Sequence, residues 1–187
     1  MDLNDNVIAK KRKNRFEQLT ESTKIKLEKM KSEPPKNYLL KKQKKDSSYP
    51  EKGTIFEVIS HDDIRVKGMV INNHVNGSLG KDLITIIFIR RGISISDKKE
   101  ITTEDLLTEP QIVSIEMWNK GYAKNIGKYH GKFGIEYSFY DGLYNVYRDE
   151  YGNEKSEQKG VFGVFGMSTL FGVSRHIQTE LIIDNII

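Results

Sequence analysis

The sequence predicts an α+β fold: an N-terminal basic helix, then a mainly antiparallel, strongly bent, barrel-like β-sheet domain with one or two short helices. Two observations carry this. Residues 10–33 set apolar side chains at helical spacing among lysines and glutamates, whereas from Gly53 onward the apolar period is two. The charge divides near the same place. Residues 9–46 hold 14 Lys/Arg against 5 Asp/Glu, a net of +9, and residues 47–187 hold 16 against 19, a net of −3. The chain is therefore divided into a basic helical arm and linker, residues 1–48, and an α+β domain, residues 49–187.

In the arm, Phe16, Leu19, Leu27 and Met30 fall near one stripe, with Thr23 in the gap, and Pro34-Pro35 ends the helix. Residues 36–52 mix lysines, serines and a proline and read as a linker. Then "TIFEVI" alternates, "SHDD" turns, and "IRVKGMVI" alternates again, with Gly68 marking a bend. Asn76-Gly77 predicts a turn inside a loop, and "DLITIIFI" predicts a central strand covered on both faces. "TTEDLL" predicts a short helix capped at Thr102 or Thr103. "QIVSIEMWNKG" reads as a strand ending in a corner at Trp118–Gly121. Residues 133–155 read as a hairpin, with Asp141-Gly142 as a type I′ turn. "VSRHIQTELIIDNII" reads equally as a short helix or a last strand.

Several function classes find no support. The chain has no cysteine, which removes disulfides and thiolate chemistry and suits a reducing cytoplasm. The first 13 residues lack the apolar stretch of a secretory signal. The longest apolar run, Leu83 to Ile89, is far short of the ~20 residues a helix needs to cross a bilayer, so no membrane is expected. The glycines at 160, 163 and 166 follow neither phosphate-loop pattern and read as turns and tight packing. His61, His74, His130 and His176 are too scattered for local metal-ligand pairs and read as surface or turn residues. Adjacent carboxylates such as Asp62-Asp63 sit in turns and make no acid–base pair. No catalytic residue, cofactor or metal is expected.

Two features are candidates for binding. The arm cations Lys10, Lys11, Arg12, Lys13, Arg15, Lys41, Lys42, Lys44 and Lys45 either contact phosphates or form a solvated helix and tether. The aromatic cluster between 122 and 151 includes Tyr122, Tyr137, Tyr140, Tyr144 and Tyr147. With Trp118, these side chains either anchor a partner or pair across the sheet.

Gly53–Phe56, Gly68–Val70, the "MWNKG" corner and "DEYGNEK" together resemble the immunity protein 26 family of bacterial polymorphic toxin systems, over roughly residues 50–182. The basic arm lies outside that pattern. The resemblance implies an α+β domain that binds and neutralises a cognate toxin encoded nearby, such as a nuclease, without catalytic residues of its own. The alternative is a nucleic-acid-associated protein that grips phosphates with the arm. On the first reading, deletion of residues 1–48 is expected to leave protection intact.

Overall fold

A computed structural model describes residues 7–45 and 48–187. The reading of the first residues as free of a targeting signal, and part of the predicted linker, concern residues outside those described. Two helices, α1 (Val7–Glu17) and α2 (Glu21–Ser32), precede the strands β1 (Thr54–Ile59), β2 (Arg65–Gly77) and β3 (Gly80–Phe88). The short β4 (Glu100–Ile101), β5 (Gln111–Val113), α3 (Glu116–Asn119), β6 (Lys124–Lys128) and β7 (Lys132–Phe133) follow. Then come β8 (Tyr137–Asp141), β9 (Val146–Arg148), β10 (Glu154–Lys155), β11 (Val161–Val164) and the helix α4 (Leu170–Ile183).

The main sheet is antiparallel throughout, in the order β5-β3-β2-β1-β6. Its alternation is visible on both faces. Phe56, Val58, Val66, Val70, Ile84 and Phe88 point to one core, which α4 covers with Val173, Ile177 and Leu181. Ile55, Met69, Ile71, Ile87 and Ile89 point to a second core under Ile95, Ile101, Tyr129 and Ile135. A strand buried on both faces loses the polar half of its pattern, which is why Leu83 to Ile89 reads as a nearly continuous apolar run. Gly68 is required for contact: a side chain there would run into the Phe56 ring and the Ile87 carbonyl.

A second sheet, β10-β9-β8-β11, and the pair β4-β7 complete the strands. The pairings β8–β11 and β4–β7 are parallel, so the antiparallel expectation holds for the main sheet and for β8-β9-β10. Among the described residues the sheets remain open, with β5 and β6 as separate edges. The fold is α+β, without a closed barrel.

Two local expectations are corrected and two are sharpened. The loop predicted around Asn76-Gly77 is mostly strand: β2 runs through Gly77, and the chain turns at Ser78 and Leu79. Register shifts between Val70 and Gly77, with His74 at φ 50°, interrupt the alternation that would have marked it as strand. The single arm helix breaks before Thr20, which caps α2 by accepting a hydrogen bond from the Thr23 N–H at 3.3 Å. The C-terminal segment is helical, and the Thr169 hydroxyl accepts from the Gly172 N–H at 3.1 Å to start α4. The short helix predicted near Thr102 is a 3-10 turn, with the Thr102 N–H donating to Asp105 at 2.9 Å.

The arm packs onto the body. Leu27, Met30 and Ile182 form a buried cluster with Phe16, Leu19, Ile183 and Ile187 against it. The segment that composition marks as a linker carries Leu40 into the main core at 3% exposure. The Leu40 N–H donates to Ser174 Oγ at 3.2 Å, and the Lys41 N–H to the Ile59 carbonyl at 2.8 Å. Deleting residues 1–48 would therefore strip apolar cover from α4 and remove a core residue. Loss of stability is expected, in place of a separable arm.

Candidate functional site

The aromatic candidates divide sharply by burial. Trp118 is fully enclosed; its ring meets Phe56 edge-on at 5.1 Å, and its indole N–H donates to Asn125 at 2.8 Å. Tyr122 is buried beneath Lys42, whose ammonium lies 5.7 Å from the ring centre. Tyr140 is buried, and its hydroxyl donates to Asn145 Oδ1 at 2.7 Å. Tyr137 and Tyr147 are half-buried. Tyr137 donates to Glu150 at 2.7 Å, and burial together with that bond pushes its hydroxyl pKa up. Tyr147 packs against Tyr140 and Phe162. As surface anchors Trp118, Tyr122 and Tyr140 are therefore corrected: enclosed, they build the scaffold. Only Tyr144 of the six stands open, at 66% exposure, beside Leu143 at 76%.

Leu143 and Tyr144 form the tip of the β8–β9 hairpin. The tip is held from below by Asp141, which is buried. One Asp141 oxygen accepts from the Leu143 N–H at 3.1 Å and the other from Arg148 Nε at 2.8 Å. The Asn145 N–H closes the loop onto the Asp141 carbonyl at 2.8 Å. The left-handed residue is Asn145, at φ 59°, and not Gly142. The predicted two-residue type I′ turn is thus a four-residue loop, in which asparagine supplies the positive φ. Arg148 also donates to the Gly152 carbonyl at 3.0 Å, and its guanidinium lies 5.4 Å from the Tyr144 ring centre and 5.6 Å from that of Phe165. Two large side chains are thus displayed on a loop whose backbone is tied to Asp141 by the Leu143 and Asn145 N–H groups. Little ordering entropy would remain to be lost on binding.

The basic arm candidates also divide. Arg15 grips Glu180 with both guanidinium arms, at 2.7 and 2.6 Å, and the Glu180 side chain is only 3% exposed. Lys11 donates to Glu109 at 2.8 Å, and His176 Nε2 lies 3.0 Å from the other Glu109 oxygen. Lys13 pairs loosely with Glu17 at 4.0 Å, and Lys41 with Asp63 at 2.5 Å. Lys10, Arg12, Lys44 and Lys45 are exposed. The arm's charge is thus partly used to dock the arm on an acidic strip of the body. His176 belongs to this strip, whereas His61, His74 and His130 are exposed as expected.

Burial alone would push the Glu109 carboxyl up. The hydrogen bond from His176, its charge and Lys11 outweigh that and hold the carboxyl well below the usual range. A depressed folded-state pKa stabilises above the unfolded value, near 4.3, and the contribution is lost as pH falls through the folded value. Glu109→Gln is expected to cost about 2 kcal/mol at neutral pH. The gap between variant and wild type is expected to narrow below about pH 4. Urea titrations at a series of pH values check this.

Between α1, α2, α4 and β11 the docked arm encloses a cleft of about 640 Å³. No group of three or more metal-ligating side chains occurs among the described residues, and no helix among them is long and apolar enough to cross a membrane. No protein-family model, curated protein or solved structure matches the chain.

Proposed function

We propose that this is an immunity-type protein of the cytoplasm that binds and blocks a cognate bacterial toxin encoded nearby, and that it meets the toxin with the tip of the β8–β9 hairpin. The observation that carries the reading is the pair Leu143 and Tyr144, both exposed on a loop pinned by Asp141 and Arg148. Exposed aromatic and aliphatic side chains on a rigid support are the usual anchors of protein interfaces. The resemblance at Gly53–Phe56, Gly68–Val70 and Trp118 supports the scaffold half of this reading, because those residues build the core. The pairing of Lys11 with Glu109 and Arg15 with Glu180 takes two strong cations away from phosphate. That favours a protein partner over the nucleic-acid alternative.

Co-expression with the neighbouring toxin tests it. The wild-type chain is expected to rescue growth, and Leu143→Ser with Tyr144→Ser to lose rescue while remaining soluble and folded. Absence of rescue by the wild type, or full rescue by the double variant, would overturn the reading. Salt-sensitive DNA or RNA binding by the wild type, lost on neutralising Arg12 and Lys13, would favour the alternative.

A further inference from the structure

The cleft under the arm has a composition that docking alone does not require. Its volume, about 640 Å³, falls within the range of roughly 300–1,000 Å³ usual for small-molecule sites. Phe16, Leu19, Leu27, Met30, Phe162 and Ile183 supply apolar walls. Six cations line it, of which four are paired: Lys11 with Glu109, Arg15 with Glu180, Lys13 loosely with Glu17, and Lys31 with Glu28. The two lining carboxylates, Glu109 and Glu180, are already neutralised by Arg15, Lys11 and His176. Arg12 and Arg175 make no ion pair with any described acid; Arg12 is exposed and Arg175 half-buried, while Leu27 and Met30 are buried. An interface that only needed to close would match its charges. This one leaves two guanidinium groups, Arg12 and Arg175, beside an apolar wall.

We propose that the cleft binds a small anionic amphiphile: one acidic head held by Arg12 and Arg175, and an apolar body lying against Phe16, Leu19 and Ile183. The site is separate from the hairpin tip, so it stands or falls independently of the toxin reading. The sign of the charge fixes the head group's class, because a cation would meet the two uncompensated guanidinium groups and carboxylates that are already occupied. The apolar wall sets the body, since methylenes laid against it leave water.

Calorimetric titration of the full chain with decanoate tests this, with decyltrimethylammonium as the probe of equal tail and opposite charge. Decanoate is expected to bind at one site and the cation is not. Arg12→Ala with Arg175→Ala is expected to weaken decanoate binding at least tenfold. Leu19→Trp, which fills the apolar wall, is expected to abolish it, with circular dichroism confirming the fold. The arginine pair keeps the test decisive even if the tryptophan variant misfolds. No decanoate binding up to about 1 mM, a threshold of roughly −4 kcal/mol, overturns the proposal. So does equal binding of both probes, or unchanged affinity in the arginine variant.

Discussion

Trp118→Ala is expected to destabilise the protein by about 3–5 kcal/mol, the usual cost of emptying a large aromatic site in a core. The side chain is fully enclosed and contacts Phe56, which in turn meets Phe88 at 5.6 Å, so the cavity would open at the centre of the main core. The substitution also leaves Asn125 without the indole donor that ties the start of β6 to α3. Trp118→Phe is expected to recover most of the packing and to remain about 1 kcal/mol short, the net worth of that hydrogen bond. Because Trp118 is the only tryptophan, unfolding should be followed by circular dichroism in denaturant rather than by fluorescence.

The second large effect lies at the arm. Arg15→Ala is expected to cost about 2–4 kcal/mol, because it strands the buried Glu180 carboxylate, leaving it His176 at 4.0 Å as its one basic partner among the described residues. The figure sits below that for a fully enclosed pair because Arg15 itself is 40% exposed. The hydrogen bond to Glu180 and its charge raise the Arg15 pKa, so Arg15 stays charged at every accessible pH. Arg15→Lys is expected to restore only part of the loss, since an ammonium cannot make the two parallel bonds of the guanidinium fork. Adding Glu180→Gln to Arg15→Ala should recover stability by removing the stranded charge. A double-mutant cycle measured by denaturant unfolding checks this, and additive costs would show that the two side chains are not coupled.

The main sheet was readable because its code is local. In β1 and β2 each residue two positions on returns to the same face, so Phe56, Val58, Val66 and Val70 could be grouped before any contact was known. The same holds for the cap at Thr102 and for the existence of the β8–β9 hairpin. What could not be read depends on partners far along the chain. Lys11 meets Glu109 across 98 residues, and Arg15 meets Glu180 across 165, so a helix that looks solvated in isolation is docked in the fold. The i, i+4 spacing of His176 and Glu180 was a visible hint, but it could not name the cations that complete the strip. The parallel pairing of β8 with β11 likewise leaves no periodic signature. Trp118 was misplaced for a different reason. A lone tryptophan at a corner carries no face information, and only the one-turn helix α3 turns it inward, with Met117 beside it. The break at Thr20 was legible in principle, as Thr20 followed by Glu21 and Thr23 is a cap sequence.

The account rests most heavily on the hairpin tip. Its most direct measurement is the dissociation constant of the purified chain with the toxin encoded beside it, for the wild type, Tyr144→Ala and Leu143→Ala. Ile25→Ala serves as a control, since Ile25 on α2 is also an exposed apolar side chain, at 67%. Loss of at least about 30-fold in affinity is expected for Tyr144→Ala, which corresponds to a hot spot of 2 kcal/mol or more. Ile25→Ala is expected to bind as the wild type does. Tyr144→Ala and Leu143→Ala variants that both bind within about twofold of wild type would contradict the account, because no hot spot would then lie at the tip.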